Sequence, residues 1–343
     1  MSVLCDLLVD VQGKLAQLWL GSTAEKVDGT PEYEALRAVL DKQTVSMPQL
    51  LEIDGKKRKV KIEWLTDCDQ EAEECDDSCT LTGRELSTNC KEYELGCIAQ
   101  KSFKIPLVNS DSYHSYVDKF AKGMQQNHKG ILEELAEYVI LGLVSNSGVN
   151  QHTGAPGQVV GTTTYINPVS WNDSIWGYMA LARRRNKMGE EFYIDDINLW
   201  NLVYNRTLEA GNADGKGNFA KLPQNKIYSD VVNMALSAPN TTFMIDRNAV
   251  AMVSLSPADV IYPLKNPTGT NPYELEANKV TYTEMNMFDQ RIKMEVTIQR
   301  VCEGDGVYYD IVRHKAWGIF AVNPTPCNGD QTGILQFVCG THS

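Results

Sequence analysis

Residues 56–79 read KKRKVKIEWLTDCDQEAEECDDSC. Lys56, Lys57, Arg58, Lys59 and Lys61 open the stretch with no acid among them, and Glu63, Asp67, Asp69, Glu71, Glu73, Glu74, Asp76 and Asp77 follow with no base. Blocks of like charge repel themselves and do not build a core. Within the same stretch Val60, Ile62 and Trp64 alternate with Lys59, Lys61 and Glu63, the two-residue period of a strand with one apolar face. Upstream, Leu50 to Ile53 and then Asp54-Gly55 give a hairpin signal. Downstream, Leu95 to Val108 is a further apolar run. The stretch therefore predicts a long arm: out along 59–65, a solvated charged segment over 66–92, and back along 95–108. On such an arm Val60, Ile62 and Trp64 need a neighbouring molecule's surface.

On the amino-terminal side, Leu7, Leu8, Val11, Leu15, Leu18 and Trp19 recur at helical steps, and a second helix is expected from Glu32 to Leu40, after Pro31. On the carboxy-terminal side a long helical stretch opens at Ser110 or Asp111. Its stripe is Tyr113, Tyr116, Val117, Phe120 and Met124, resuming at Ile131, Leu132, Leu135, Tyr138, Val139 and Leu143. Gly123 and Gly130 leave two readings open, one continuous rod or a broken pair. Residues 148–170 read as a loop. Helices and short strands then alternate: a helix from Asn172 or Asp173 to Arg185, a strand Glu191–Ile194, and a helix capped by Asp195-Asp196. A helix over Ile227–Leu236, a strand Thr242–Ile245 and a short helix Asn248–Ser254 complete this layered region. From Val280 the pattern is β, with Ile292, Met294, Val296 and Ile298 alternating with polar residues before a turn at Glu303–Gly306 and a return over Val307–Val322. The tail holds one apolar patch, Ile334–Val338.

Length and composition limit what such a chain can do. With 343 residues, 43% of them hydrophobic, it can bury a sizeable core, which excludes a disordered protein. A net charge of −12 excludes a surface that grips nucleic acid all round, since such surfaces need bases to displace phosphate counterions. No apolar run is long enough to span a bilayer, and Asp6, Asp10 and Lys14 interrupt what a secretion signal would need, so synthesis in a cytoplasm is expected.

Reactive constellations are sparse. Five of the nine cysteines lie close together, Cys68, Cys75, Cys79, Cys90 and Cys97. Only Cys75 and Cys79 have zinc-like spacing, so zinc ligation, disulfides and free thiols all stay open. Gly211 to Gly217 fits neither a phosphate loop nor a calcium loop. His114, His128, His152, His314 and His342 have no nucleophile motif beside them and are expected to be structural or solvent-facing. No catalytic residue, cofactor site or metal site is assigned.

The succession of parts resembles the major capsid protein of tailed bacteriophages, a fold shared with encapsulin shells and the floor domain of herpesvirus capsids. The segment NMALSAPNTTFMIDRNAVAMVSLSP (233–257) carries the resemblance most closely, and the order of parts carries it over nearly the whole chain. The resemblance implies an α+β fold with an N-terminal arm over 1–45 and an extended loop (E-loop) over 46–107. A peripheral domain over 108–164 and 266–343 would hold the spine helix and a long late β-hairpin, with an axial α/β domain over 165–265. Some members crosslink E-loop lysines to a neighbour's asparagine. No pattern here identifies such a partner, and no crosslink is carried over.

The implied function is a structural one. Subunits would self-assemble as hexamers and pentamers into an icosahedral shell in the host bacterial cytoplasm, enclosing DNA without reading its sequence. The implied partners are scaffolding, portal or decoration proteins, with no membrane and no cofactor. The alternatives are an encapsulin-like nanocompartment shell and a cysteine-rich metal-binding enzyme. Two local expectations follow. The cysteines from Cys68 to Cys97 would pair in an oxidising medium. The bases Lys56, Lys57 and Lys59 would meet the acids Glu71, Glu73 and Glu74 of an adjacent subunit, because a straight strand carries the two blocks apart within one chain.

Overall fold

The structure, a computed structural model, describes residues 33–43, 49–53, 56–65, 88–106, 113–211, 226–254, 280–287, 292–303, 307–323 and 332–342. The expected helix through Leu7 to Trp19, the cap at Ser110 or Asp111, the Gly211–Gly217 loop beyond its first residue and the turn at 304–306 lie outside these residues. What is described is α+β.

A five-stranded sheet forms the centre. Strand β13 (Val307–Val322) pairs along one edge with β12 (Ile292–Glu303), which pairs in turn with β11 (Val280–Met287). The other edge of β13 is shared end to end by β10 (Val250–Ser254) and β4 (Gly96–Pro106), which meet at Gly318. A Cβ on Gly318 would sit 2.6 Å from the Val253 carbonyl oxygen, so no larger residue fits where the two strands abut. The segment Asn248–Ser254, expected as a short helix, is strand β10. Its Val250 and Met252 face one apolar cluster while Ala251 and Val253 face another. With both faces covered, the alternation that marks a strand disappears.

Across this sheet lies helix α2 (Tyr113–Ser145), continuous over 33 residues and therefore about 50 Å long. Its first half packs Tyr116, Val117, Phe120 and Met124 against Ile105, Val296, Ile298 and Val312. Of the two glycines that left a break open, Gly130 meets only the Lys101 side chain, whereas Gly123, like Gly142 further along, has a packing role. A Cβ on Gly123 would lie 2.7 Å from the Phe103 ring, and one on Gly142 would run into Phe320. Each glycine costs about 1 kcal/mol of helix propensity against alanine, offset here by an aromatic ring pressed onto the helix backbone.

The second half of α2 buttresses a mixed six-stranded sheet. Its strands are β5 (Gln158–Val160), β6 (Thr163–Ile166), β7 (Glu191–Asp195), β8 (Ile227–Ser229), β9 (Thr241–Asp246) and β14 (Ile334–Cys339), in the order β5-β6-β14-β9-β7-β8. One face, with Phe192, Ile194, Phe243, Ile245 and Ile334, packs on α2 and on α1 (Glu34–Lys42). The other, with Tyr193, Met244, Leu335 and Phe337, is covered by α3 (Pro168–Arg185) and by Leu199 and Leu202 of α4 (Asn198–Gly211). A short helix, α5 (Val231–Ser237), follows β8.

Three expectations are corrected here. Residues 148–170 are not all loop, since β5 and β6 lie in them. Helix α3 starts at Pro168, not at Asn172 or Asp173, because Asn167 caps it by accepting from the Ser170 N–H at 2.9 Å and Pro168 suits the first helical turn. Residues 227–229 are strand β8, and the helix after them begins only at Val231, beyond its Asp230 cap. The tail strand β14 joins the six-stranded sheet, whereas β10 belongs to the five-stranded one. Replacing Asn167 by alanine is expected to destabilise α3 by about 1 kcal/mol in a denaturant titration, with Asn167→Ser restoring most of it.

Candidate functional site

The charged stretch that opens the argument lies on a three-stranded ribbon. Strand β2 (Lys56–Leu65) pairs antiparallel with β1 (Gln49–Ile53) and with β3 (Thr88–Glu94). The return strand is thus 88–94, not 95–108. Leu95 is buried at the crossing, and β4 continues into the central sheet. Leu65 and Thr88 are the last paired residues, and the charged residues between them, 66–87, lie outside the described residues.

A second correction concerns the apolar face of the arm. Val60, Ile62 and Trp64 are buried within their own chain, in a small sandwich with Leu95, Ala251, Val253 and Ala321. Tyr93 adds a hydrogen bond from its hydroxyl to the Val322 carbonyl at 3.1 Å. The ribbon is therefore anchored to the body on its apolar side. What it presents outward is charge: Glu63, Lys91, Glu92 and Glu94 are all exposed.

Lys59, expected to pair with an adjacent subunit, has a partner on its own ribbon, Glu92 at 3.9 Å. Both side chains are exposed, so the pair contributes about 0–1 kcal/mol. Lys56 and Lys57 occupy β2, and Glu71, Glu73 and Glu74 lie outside the described residues. Of the clustered cysteines, Cys97 is an exposed free thiol whose partial burial pushes its pKa up. Cys90 is a residue of β3, and Cys68, Cys75 and Cys79 are outside the described residues. Among the described residues no group of three or more His, Cys, Asp or Glu side chains could hold a metal ion, and no helix is long and apolar enough to cross a membrane.

The sequence reading missed three polar locks. In the first, Asp310 on β13 is fully buried and accepts two hydrogen bonds from Arg300, at 2.8 and 3.0 Å, and one from the Tyr116 hydroxyl on α2. Burial, with the Asp310 carboxylate beside it, pushes the Tyr116 pKa far up. Replacing Asp310 by alanine strands both donors. The expected loss is about 3 kcal/mol, at the low end for a buried pair because the Arg300 side chain keeps 29% of its exposure. Chemical denaturation reads this directly, and Asp310→Asn should recover part of the loss.

In the second lock, His128 on α2 and His314 on β13 meet edge to face with centroids 5.0 Å apart, and the Asn127 side-chain nitrogen lies 2.9 Å from His314 Nδ1. Burial lowers His128 to about 4. Burial and then the neighbouring His128 lower His314 to about 3. In the third, Asp230 caps α5 while accepting from the Ala35 N–H of α1 at 3.1 Å. Asp195 accepts from Thr242 at 2.6 Å and from the Trp200 N–H at 2.9 Å, so the expected Asp195-Asp196 cap is made by Asp195. Burial raises both Asp230 and Asp195 to about 6. These groups join elements distant in sequence. The described surface also carries apolar side chains, among them Trp200 stacked on Tyr204 along α4, and Val232 and Leu236 on α5.

No protein-family model and no curated protein matches the chain. Among solved structures it is similar to a chain of the capsid of cyanophage P-SCSP1u, at 10% identity, covering 83% of this chain and 84% of that one with a TM-score of 0.42. It is similar to a chain of Mycobacterium phage Adephagia at 12% identity, covering 89% and 91% with a TM-score of 0.40. A third likeness is to the capsid of a native GTA particle, at 9% identity, covering 90% and 91% with a TM-score of 0.41.

Proposed function

We propose that this chain is a shell-forming structural protein, the major capsid protein of a tailed bacteriophage, and not an enzyme. The observation that carries the reading is the ribbon β1–β3. Its apolar face is satisfied inside the chain by Ala251, Val253 and Ala321, and its strands hand on, at Leu65 and Thr88, a strongly acidic segment that no core can absorb. A body made rigid by a 33-residue helix laid over one sheet and buttressing another suits a wall tile. The order of the long helix α2, the alternating helices and strands after it, and the late pair β12–β13 supports this reading.

In this reading the anchored ribbon orients contacts between subunits, and symmetry multiplies weak exposed pairs over hexamers and pentamers of a closed shell. The net charge of −12 suits a wall that encloses DNA without holding its phosphates over the whole surface. Assembly takes place in the host cytoplasm and the product is the virion capsid, with scaffolding, portal or decoration proteins as partners. The thiols of Cys68, Cys75, Cys79, Cys90 and Cys97 pair only after release into an oxidising medium. Negative-stain microscopy of the overexpressed chain tests the reading: closed particles of uniform diameter are expected, and a field of single small molecules would overturn it.

A further inference from the structure

The carboxy-terminal corner of α3 carries a run of bases, Arg183, Arg184, Arg185 and Lys187, in a chain that is acidic overall. The acids nearby already have partners. Glu191 takes Arg183 at 2.9 Å and Lys226 at 3.4 Å, Glu190 takes Arg247 at 2.8 Å, and Asp246 accepts from the Gly189 N–H at 2.9 Å. Arg184, Arg185 and Lys187 are exposed, and none has an ion pair among the described residues. Lys187 sits past the helix end at a φ of 48°. Elsewhere on the described body, cations are largely engaged: Lys59 with Glu92, Lys101 with Glu134, Lys129 with Glu133, and Lys104 over the Tyr309 ring.

The chain also holds the complementary charge. Between Asp67 and Asp77 stand seven carboxylates and no base, in a segment that leaves the ribbon at Leu65. The ribbon's apolar face, with Val60, Ile62 and Trp64, packs on Ala251, Val253 and Ala321 of the body, and the acids follow in sequence directly after the last paired residue, Leu65.

We propose that the basic corner Arg184, Arg185 and Lys187 is a docking site for the acidic segment 67–77 of a second copy of this chain. The inference rests on the shell reading and names the partner of its arm. Lys59, one of the ribbon's own bases, already has a partner within the ribbon, whereas the three side chains of this corner have no ion pair among the described residues. Three exposed pairs amount to about tenfold in affinity, and screening by salt weakens them.

The test uses a fluorescent synthetic peptide of residues 63–79, its cysteines replaced by serine, titrated into the full-length protein at low salt. Binding is expected, about tenfold weaker to the Arg184→Glu, Arg185→Glu, Lys187→Glu variant and weaker with added salt. The same variant should need about tenfold more protein to assemble, and Glu71→Lys, Glu73→Lys and Glu74→Lys should restore assembly. Equal peptide affinity for both proteins, absence of binding, or failure of the compensating reversals overturns the docking. So does a variant that assembles normally but retains less DNA, which would make the corner a phosphate contact. The peptide titration reads the corner on monomeric protein too, so a chain that never assembles fails the shell reading while the corner is still tested.

Discussion

Removing residues 66–87 and joining Leu65 to Thr88 through Asn-Gly is expected to leave a folded body that no longer forms particles. Leu65 and Thr88 are the last paired residues of β2 and β3, so a two-residue turn closes the ribbon with its register intact. The anchor residues Val60, Ile62 and Trp64 remain, as do their partners Ala251, Val253 and Ala321. The deleted stretch carries Asp67, Asp69, Glu71, Glu73, Glu74, Asp76 and Asp77, whose burial would cost far more than it returned. Stability of the protomer should therefore change by no more than about 1 kcal/mol, the range of surface changes, while the contacts between copies are lost. Circular dichroism melting and microscopy read the two outcomes separately. Insoluble protein would place 66–87 in the core, and normal particles would remove the arm from assembly.

The second large effect is the response to acid at the junction of α2 and the central sheet. His128 and His314 are held neutral in the fold, with pKa values of about 4 and about 3 against an unfolded value near 6.5. Below about pH 6.5 the unfolded chain binds protons there that the folded chain does not, so the pair's contribution is complete above that pH. It is lost progressively as pH falls toward 4, at about 1.4 kcal/mol per pH unit for each histidine. Asp195 and Asp230, raised to about 6, act with the opposite sign. Their contribution is present below about pH 3.8 and lost as pH rises through 6, so they oppose the histidines over the same interval. A difference measurement separates the two. His128→Met should be close to wild type at pH 7.5 and should gain on it by about 1.4 kcal/mol per unit below pH 6. Parallel stability profiles for the two proteins between pH 7.5 and 4.5 would contradict this account of the junction.

Sequence alone sufficed where a pattern is local. The alternation at Val60, Ile62 and Trp64 and that at Ile292, Met294, Val296 and Ile298 mark strands with one apolar face, and the structure has both strands there. The stripe from Tyr116 to Leu143 marks the long helix. The pattern failed where burial is two-sided or where the partner is remote. Residues 250–253 are apolar throughout because clusters cover both faces of β10, and such a run carries no period to separate strand from helix. The apolar face of β2 looks exposed from sequence, since Ala251 and Ala321 are small residues far along the chain. The Tyr116–Asp310 bond spans 194 positions and the Asn127–His314 contact 187, so neither leaves a local signature. A buried-strand aspartate next to a run of β-branched residues, as at Asp310-Ile311-Val312, is the one cue that could have raised the first of them.

Charge was the most legible property of the arm and the least specific about its partner. The acidic block is plain in the sequence, but Lys59, one of the bases expected to meet it, lies 3.9 Å from Glu92 of its own ribbon, and the corner proposed as its complement, Arg184, Arg185 and Lys187, is exposed. Propensity and spacing do not report which cations are already paired.

Sedimentation velocity of the purified full-length chain, over a range of protein and salt concentrations, bears most directly on the shell reading. Species far heavier than the 38.3-kDa protomer, growing with protein concentration, are the expected result. A single 38.3-kDa species under every condition would contradict it.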